Sequence, residues 1–276
     1  MTIHRFGRRA VPALLIAVSL SACAVFRKEA PLTPEIALVR GLTAFRAHRY
    51  LRAADLLKRW VDANAAGDPR MPNALLALGT SHIHTGEYLT ASSELLRLVT
   101  DYPQAAEQRE ARFRLCEAYH GLSPRAQLDQ QYTETAITYC QSYAGYYGTT
   151  PQADTARTWV TDMRDKLAYK AFLNGMFYLR RQSYDAAVIY FNDAANGYPD
   201  TKWAPASLAR VVEAYGRIGY REEAEEARQR LLRDFPQSPE AQTLAAAPPP
   251  AAATPARDST AAAAAPAPAP PPTATP

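Results

Sequence analysis

Few residues of this sequence combine a reactive side chain with the spacing that chemistry requires. His82 and His84 are the most suggestive pair, but residues two apart on a helix point to different sides. A metal site on one helical face needs a spacing of three or four residues. The sequence has no glycine-rich phosphate loop, no Gly-x-Ser-x-Gly turn and no Cys-x-x-Cys pair. We therefore expect no catalytic residue, no metal and no cofactor, and interpret the two histidines as surface or groove residues.

The amino-terminal segment has the three parts of a secretory signal peptide. Arg5, Arg8 and Arg9 precede an apolar stretch at 11–20. That stretch is too short to span a bilayer, which takes about 20 residues. Residues 1–22 are therefore predicted to be a signal peptide that is removed.

Cys23 ends this pattern, and it is the residue with the clearest chemical role. The preceding Leu-Ser-Ala resembles the bacterial lipobox, in which cleavage falls just before a cysteine that carries S-diacylglycerol and N-palmitoyl groups. Ala24 in the next position is similar to lipoproteins sent to the outer membrane. We expect 23–33 to be a lipidated tether on the periplasmic face of that membrane. The alternative is a signal peptide with an incidental cysteine.

Cys116 and Cys140 are the other two cysteines. Export would place them in an oxidising compartment, where disulfides persist. In the repeat pattern described below they lie on two antiparallel helices, about equally far from the intervening loop. A disulfide and a pair of buried thiols both remain open, because Cα atoms more than about 7 Å apart cannot be bridged.

Composition limits the partners and the folded length. The 276 residues are 47% apolar and carry a net charge of +4, but without 1–22 there are 28 basic and 27 acidic residues. Such a balance argues against nucleic acid as a partner. From residue 247 the chain is almost only Ala, Pro and Thr, with ten of the 22 prolines. We expect 242–276 to be a disordered tail that leans towards polyproline II.

A repeat in the central part provides the elements that position these residues. Each of five alanines follows a tyrosine by three or four residues: Ala53, Ala91, Ala136, Ala187 and Ala224. Glycine lies twelve residues before three of them, and an aromatic-Pro pair ends twelve residues after three. Bulky residues recur four and seven positions after the alanine, which is one face of a helix. This spacing of residue types resembles that of the tetratricopeptide repeat, in which small residues let two helices pack closely.

The repeats predict an all-α solenoid of about ten helices in five pairs over 34–241. The alanines are 37 to 51 residues apart, which is longer than the plain repeat of about 34 residues. Eight extra residues near 121–128 are predicted to be a loop, and the first helix of the fourth repeat is predicted to be extended. The predicted repeats are 34–67, 71–104, 107–150, 155–200 and 203–237.

Three stretches resemble the BamD family, lipoproteins of the outer-membrane β-barrel assembly machinery. These are 73–103, then 129–136 (Asp-Gln-Gln-Tyr-Thr-Glu-Thr-Ala), and 165–201 with Asp-Lys-Leu-Ala at its start and Tyr-Pro-Asp-Thr at its end. The resemblance covers about 33–241. Two positions depart from it, since the family usually has Glu at Ala171 and Arg at Tyr190. Both departures fall in the fourth repeat, where the resemblance implies partner contacts.

The resemblance implies a scaffold, not an enzyme. Its amino-terminal repeats would form a groove for extended targeting segments of unfolded outer-membrane proteins, and its carboxy-terminal repeats would hold the periplasmic domains of a BamA-like barrel protein beside other lipoproteins of the complex. The groove residues expected in the first two repeats are Phe45, Arg46, Tyr50, His82 and Tyr88. For Phe45, Tyr50 and Tyr88 a core position is an equal alternative, whereas an apolar core would not favour Arg46 or His82. The expected partner-contact region includes Tyr178, Arg181 and Tyr190.

A second hypothesis keeps the fold and the anchor but changes the partner. The Pro/Ala tail and the missing Arg are compatible with another tetratricopeptide-repeat lipoprotein of the envelope, one that binds peptidoglycan or a pilus or secretion subunit. An enzymatic function has no support, because no acid, base and nucleophile set can be assembled from the motifs.

Overall fold

A computed structural model describes residues 32–64 and 66–246 of the chain. The predicted signal peptide, Cys23 and the tail from residue 247 lie outside these residues. The described part is all helical, as predicted, and its elements in chain order are α1 (Pro34–Arg46), α2 (Tyr50–Ala63), α3 (Met71–His84), α4 (Tyr88–Asp101), α5 (Gln108–Leu122), α6 (Gln131–Tyr147), α7 (Pro151–Arg180), α8 (Tyr184–Gly197), α9 (Trp203–Ile218), α10 (Arg221–Asp234) and α11 (Pro239–Ala246).

The first ten helices form five consecutive pairs, which confirms the predicted fold. Each helix packs mainly on its two neighbours in the chain. Local sequence signals set several helix starts. The Thr33 side chain accepts a hydrogen bond from the Ile36 amide, the Thr150 side chain accepts one from the Ala153 amide, and Pro34 and Pro151 stand in the first turns that follow. The whole array thus depends on contacts between near neighbours in sequence.

The repeated glycines let the two helices of a pair approach closely. A Cβ atom at Gly79 of α3 would lie 2.6 Å from Leu95 Cγ of α4, and one at Gly175 would lie 2.5 Å from the Phe191 ring. Gly41 faces Leu57 in the same way. Any larger residue at these positions would collide with the bulky partner. The spacing found in the sequence therefore reflects the close packing of the two helices.

In the third pair a disulfide occupies the place of this contact. Cys116 of α5 and Cys140 of α6 have bonded sulfur atoms, and their Cα atoms are 4.9 Å apart. Cys140 comes four residues after Ala136, as Leu95 follows Ala91. Both cysteines are fully buried. A covalent link therefore stands where the first, second and fourth pairs have a glycine against a large side chain.

The third and fourth pairs also contain the two long features that the sequence predicted. An irregular segment joins α5 to α6, and the Gln130 side chain stabilises it by donating hydrogen bonds to the Arg125 and Leu128 carbonyls. Helix α7 is extended, with 30 residues. It begins at Pro151, four residues before the predicted start of that repeat, because Thr150 caps it and proline fits the first turn.

The carboxy-terminal end differs from the predicted boundary. Helix α11 continues five residues past the predicted end at 241, and it contacts both α9 and α10. Its Ala241 is buried beside Leu208 and Leu231. In α10 the buried alanine is Ala227, while Ala224, aligned from the sequence, is only half-buried. The short helix covers the end of the array, which would otherwise expose apolar surface.

The core is a series of adjoining clusters. One cluster spans α1 to α5, a second spans α5 to α7, and two more lie among α7 to α11. Trp60 is the largest fully buried side chain of the first, and Phe191 holds that place in the third. Among residues 32–64 and 66–246, no helix has the length and apolar content needed to cross a bilayer.

Candidate functional site

A first cleft, called here the N-terminal cleft, opens where the first helices of three successive pairs lie side by side. It has a volume of about 300 Å³. Helices α1, α3 and α5 line it with Leu42, Phe45, Arg46, Asn73, Leu76, Ala77, Thr80, Glu110 and Arg114.

The N-terminal cleft has an apolar floor and a polar rim. Leu42, Phe45 and Leu76 are partly buried against the first core cluster. On the rim, Arg114 is held between two carboxylates, with Nε 2.8 Å from Glu110 Oε1 and Nη1 2.7 Å from Glu117 Oε2. The arrangement suits an extended peptide, whose side chains need apolar contact and whose backbone needs polar partners.

The structure brings only two of the five expected groove residues into this cleft. Phe45 and Arg46 line it, and Arg46 is exposed. Tyr50 lies at the turn between α1 and α2, where its ring stacks on His84 at 4.0 Å. Tyr88 packs against Gly121 of α5, where an added Cβ would meet the ring at 2.5 Å.

His82 departs most from its expectation, because it is 6% exposed. Its Nδ1 lies 2.8 Å from Oε2 of Glu87, whose side chain is half exposed, so the buried imidazole reaches a carboxylate at the surface. The sequence argument that an apolar core would not favour a histidine did not consider such a partner. His82 is therefore a packing residue between pairs, and it does not line the cleft.

A second cleft, called here the C-terminal cleft, lies between the third and fourth pairs. It has a volume of about 520 Å³. The loop before α6, together with α6, α7 and α8, lines it with Asp129, Gln130, Gln131, Glu134, Leu167, Lys170, Ala171, Asn174, Tyr190, Asp193, Asn196, Gly197 and Tyr198.

The C-terminal cleft is polar and mainly acidic. Asp129, Glu134 and Asp193 contribute three carboxylates, and Lys170 is the single basic residue of its lining. The Lys170 ammonium donates a hydrogen bond to the Leu128 carbonyl at 2.6 Å. The cleft therefore favours a polar protein surface over an apolar segment.

Both positions that depart from the family resemblance lie in this cleft. Ala171 and Tyr190 line it together, and the Tyr190 ring stacks on Tyr178 with 5.2 Å between centroids and 5° between planes. Burial and the neighbouring Tyr178 raise the pKa of Tyr190, so its hydroxyl is neutral at physiological pH. Arg181 is not part of this stack, since its guanidinium lies 4.1 Å from the Phe177 ring.

Two polar contacts anchor the fourth pair behind this cleft. Arg164 Nε and Nη2 donate to Asp200 Oδ2 and Oδ1 at 3.0 and 2.5 Å. The Trp203 indole donates to Asp165 Oδ2 at 3.2 Å. The hydrogen bonds from Arg164 lower the pKa of Asp200, which remains ionised. The sequence pattern includes Asp165 and Asp200 but does not reveal their partners, which are 38 and 36 residues away, respectively.

These features define the class of protein: a tetratricopeptide-repeat protein whose surface includes two clefts of different chemistry. Within the part of the chain that the structure describes, no group of three or more His, Cys, Asp or Glu residues is placed to hold a metal ion.

Comparison with known proteins assigns the chain to a family. The family model described as YfiO, outer membrane lipoprotein, matches residues 37–231. The chain belongs to this family, whose description ties it to the outer membrane. It is 28% identical over 225 residues to the outer membrane protein assembly factor BamD of Caulobacter vibrioides, covering 79% of this chain and 73% of that protein. The BamD of Rickettsia prowazekii is 22% identical over 227 residues, covering 82% and 90%.

Solved structures of repeat proteins also match. A thermophilic tetratricopeptide-repeat protein of Thermus thermophilus is 20% identical, with a TM-score of 0.31 over 76% of this chain and 96% of that one. A crystal structure of the MamA protein is 19% identical, with a TM-score of 0.31 over 74% and 92%.

Proposed function

We propose that this protein is a lipid-anchored scaffold of the outer-membrane β-barrel assembly complex. The observation that carries the proposal is the family match across residues 37–231, which spans both clefts. In this function the N-terminal cleft receives extended segments of unfolded outer-membrane proteins. The C-terminal cleft contacts the periplasmic domains of a BamA-like barrel protein. The protein brings client and barrel together and performs no chemistry itself.

The make-up of the N-terminal cleft supports the client role. An unfolded barrel protein presents alternating apolar and polar side chains. Leu42, Phe45 and Leu76 offer apolar surface, while Asn73 and Thr80 offer hydrogen-bonding groups for a peptide backbone. Arg46, which is exposed at one end, is available to a client carboxylate.

The make-up of the C-terminal cleft supports a different occupant. Its three carboxylates and its Tyr178–Tyr190 stack suit a folded domain with basic and polar surface groups. Aromatic residues with a polar tip are frequent anchors in protein interfaces. The departures at Ala171 and Tyr190 therefore change the chemistry of the contact without removing the surface.

Membrane attachment in this proposal depends on Cys23. Several acyl chains on one cysteine hold a protein stably, because each buried CH₂ contributes about 0.8 kcal/mol. The protein would then act on the periplasmic face of the outer membrane, close to the place where barrels insert.

A crosslinked pull-down of the lipidated protein from cell envelopes tests the proposal. We expect a barrel protein with periplasmic repeat domains to be recovered, and recovery to fall with Tyr190→Ala. Tyr146→Ala is the matched control, because Tyr146 is highly exposed and lies outside both clefts. Recovery of a peptidoglycan, pilus or secretion component without a barrel protein would favour another envelope lipoprotein. Normal levels of outer-membrane barrels after depletion would also count against the proposal.

A further inference from the structure

The turn between α1 and α2 carries a basic surface that neither cleft includes. Residues 36–54 contain four arginines and His48 but no acidic residue. Three of these basic residues stand close together at the turn itself: His48, Arg49 and Arg52. Residues 32–246 together contain 25 basic and 25 acidic residues, so this acid-free stretch is a local excess of positive charge.

The turn surface has a defined shape, and we call it the turn patch. His48, Arg49, Tyr50, Leu51, Arg52, His84 and Thr85 line it. It contains no carboxylate. It lies where α1 turns into α2 and where α3 ends, so residues of two successive turns share one surface.

Three rings in contact hold the turn patch in place, one pair stacked and the other edge to face. The Tyr50 ring lies 4.0 Å from the His84 ring at an angle of 13°, and 5.7 Å from the His48 ring. The Tyr50 hydroxyl and His48 Nδ1 are 2.6 Å apart and share a hydrogen bond. These contacts fix the turn, where His48 has a φ of 55°, and present the adjoining side chains outward.

The two arginines of the turn patch have no partner among the described residues, unlike two other arginines of the first repeats. Arg59 pairs with Asp55, and Arg70 pairs with Glu35 and Asp68. Arg49 and Arg52 are exposed and form no side-chain hydrogen bond or ion pair with residues 32–64 or 66–246. Their charge is therefore available to an external anion.

Exposed leucines accompany these charges. Leu51 is 73% exposed, and Leu89, at the same position of the next pair, is 56% exposed. Both follow the tyrosine that begins the second helix of their pair. Large apolar side chains that protrude beside unpaired arginines are the combination that binds a membrane interface.

We propose that the turn patch binds an anionic phospholipid surface. Arg49 and Arg52 pair with lipid phosphates, while Leu51 and Leu89 enter the boundary between headgroups and acyl chains. Guanidinium groups bind phosphate through two parallel hydrogen bonds. The inference builds on the proposed anchor at Cys23 and adds a second membrane contact, which orients the array against the membrane.

The length of chain between anchor and patch permits both contacts at once. Eight residues separate Cys23 from Leu32. A chain spans at most about 3.5 Å per residue, which gives a reach of about 30 Å. Helix α1 has 13 residues, or about 20 Å. The anchor can therefore lie in the same membrane as the turn at the far end of α1.

Vesicle sedimentation of the unlipidated mature chain tests this proposal. Cys23→Ser prevents acylation, so binding reports the folded surface alone. We expect this chain to sediment with vesicles of phosphatidylethanolamine and phosphatidylglycerol, to stay in solution with phosphatidylcholine vesicles, and to be released by salt. Arg49→Gln with Arg52→Gln should lower partitioning about tenfold or more. Leu51→Ser with Leu89→Ser should lower it several-fold.

Matched variants exclude an effect of charge or composition alone. Arg125→Gln with Arg180→Gln removes the same charge at exposed positions elsewhere, and Ile189→Ser removes an exposed apolar side chain. Both should bind as the parent does. Equal binding by the parent and the Arg49/Arg52 variant would overturn the proposal. So would failure to bind phosphatidylglycerol while the patch binds an acidic peptide. The assay contains no barrel protein, so its failure is distinct from failure of the proposed scaffold function.

Discussion

The two clefts are built from the same kind of helix pair but differ in chemistry. Three first helices line the N-terminal cleft, and its floor is Leu42, Phe45 and Leu76. The C-terminal cleft combines first and second helices with a loop, and its walls carry three carboxylates and Tyr190, whose ring stacks on Tyr178. The repeat thus sets where a cleft opens, whereas residues outside the repeat pattern set what it can bind.

The largest expected effect is on the free energy of unfolding, and it tests whether the halves that carry the two clefts unfold independently. Trp60→Ala and Phe191→Ala each remove a fully buried ring from a different core cluster. Each should lower the free energy of unfolding by about 3–5 kcal/mol. Because a solenoid is stabilised by neighbouring contacts, Trp60→Ala should reduce hydrogen-exchange protection mainly in α1 to α4, and Phe191→Ala mainly in α7 to α10. Equal loss across both halves would show that they unfold as one unit.

The next test concerns the third pair, which joins the two halves. Cys116→Ser with Cys140→Ser opens a link between residues 24 apart, and should cost about 3 kcal/mol of stability. Urea denaturation of the parent with and without reductant measures the same loss.

Thiol titration of the denatured, unreduced protein provides the control for this result. With Cys23 replaced, no thiol should react. Two reactive thiols would show that the third pair is held by packing of the cysteines alone, and the connection between the halves would then resemble the glycine contacts of the other pairs.

The sequence predicted the pairs well because their contacts are local. Gly79 against Leu95 and Gly175 against Phe191 recur at one spacing, so a search for periodicity finds them. The fifth pair lacks this glycine, and its alanine was assigned to Ala224 where the structure buries Ala227. A sequence repeat therefore predicts the packing only of those helix pairs in which the same close contact between helices recurs.

The clefts were predicted less well because distant residues form them. Phe45 and Arg114 line one cleft from helices in the first and third pairs, and Glu134 and Asp193 line the other. Spacing within one helix carries no information on such neighbours. His82 shows a related limit, because the carboxylate beside its ring belongs to Glu87, which lies outside its own helix.

A third test separates the clefts by what they bind. Phe45→Ser should weaken binding of an extended outer-membrane protein segment about tenfold, or about 1.4 kcal/mol, and leave binding of the barrel's periplasmic domains unchanged. Tyr190→Ala should do the reverse, because it removes one ring of the stack with Tyr178. Titration calorimetry of both variants against both ligands measures this. A variant that weakens both ligands equally, at unchanged thermal stability, would mean that the clefts act as one site.

The smallest expected effect comes from the Arg–Asp ion pairs of the two halves, Arg70–Asp68 and Arg164–Asp200. Arg70 lowers the pKa of Asp68 to about 2 in the first half, and Arg164 lowers the pKa of Asp200 in the second. A depressed carboxyl pKa contributes stability above the unfolded value of about 3.9, and that contribution is lost as pH falls through the folded pKa. Since both groups of the Arg164–Asp200 ion pair are partly exposed, Asp200→Asn should cost less than about 1 kcal/mol at pH 7.

Carbon NMR titration of the aspartate carboxyls measures these pKa values directly, and thermal unfolding from pH 7 to pH 2 measures their consequence. The stability difference between the parent and Asp200→Asn should be constant near neutral pH and disappear below the folded pKa of Asp200. A difference that persists at pH 2 would mean that Asp200 acts through its neutral hydrogen bonds. The contact between Arg164 and residue 200 would then depend on hydrogen bonding and not on charge. Arg164 also donates a hydrogen bond to the Gly197 carbonyl at 3.2 Å, which holds its guanidinium in place without a carboxylate.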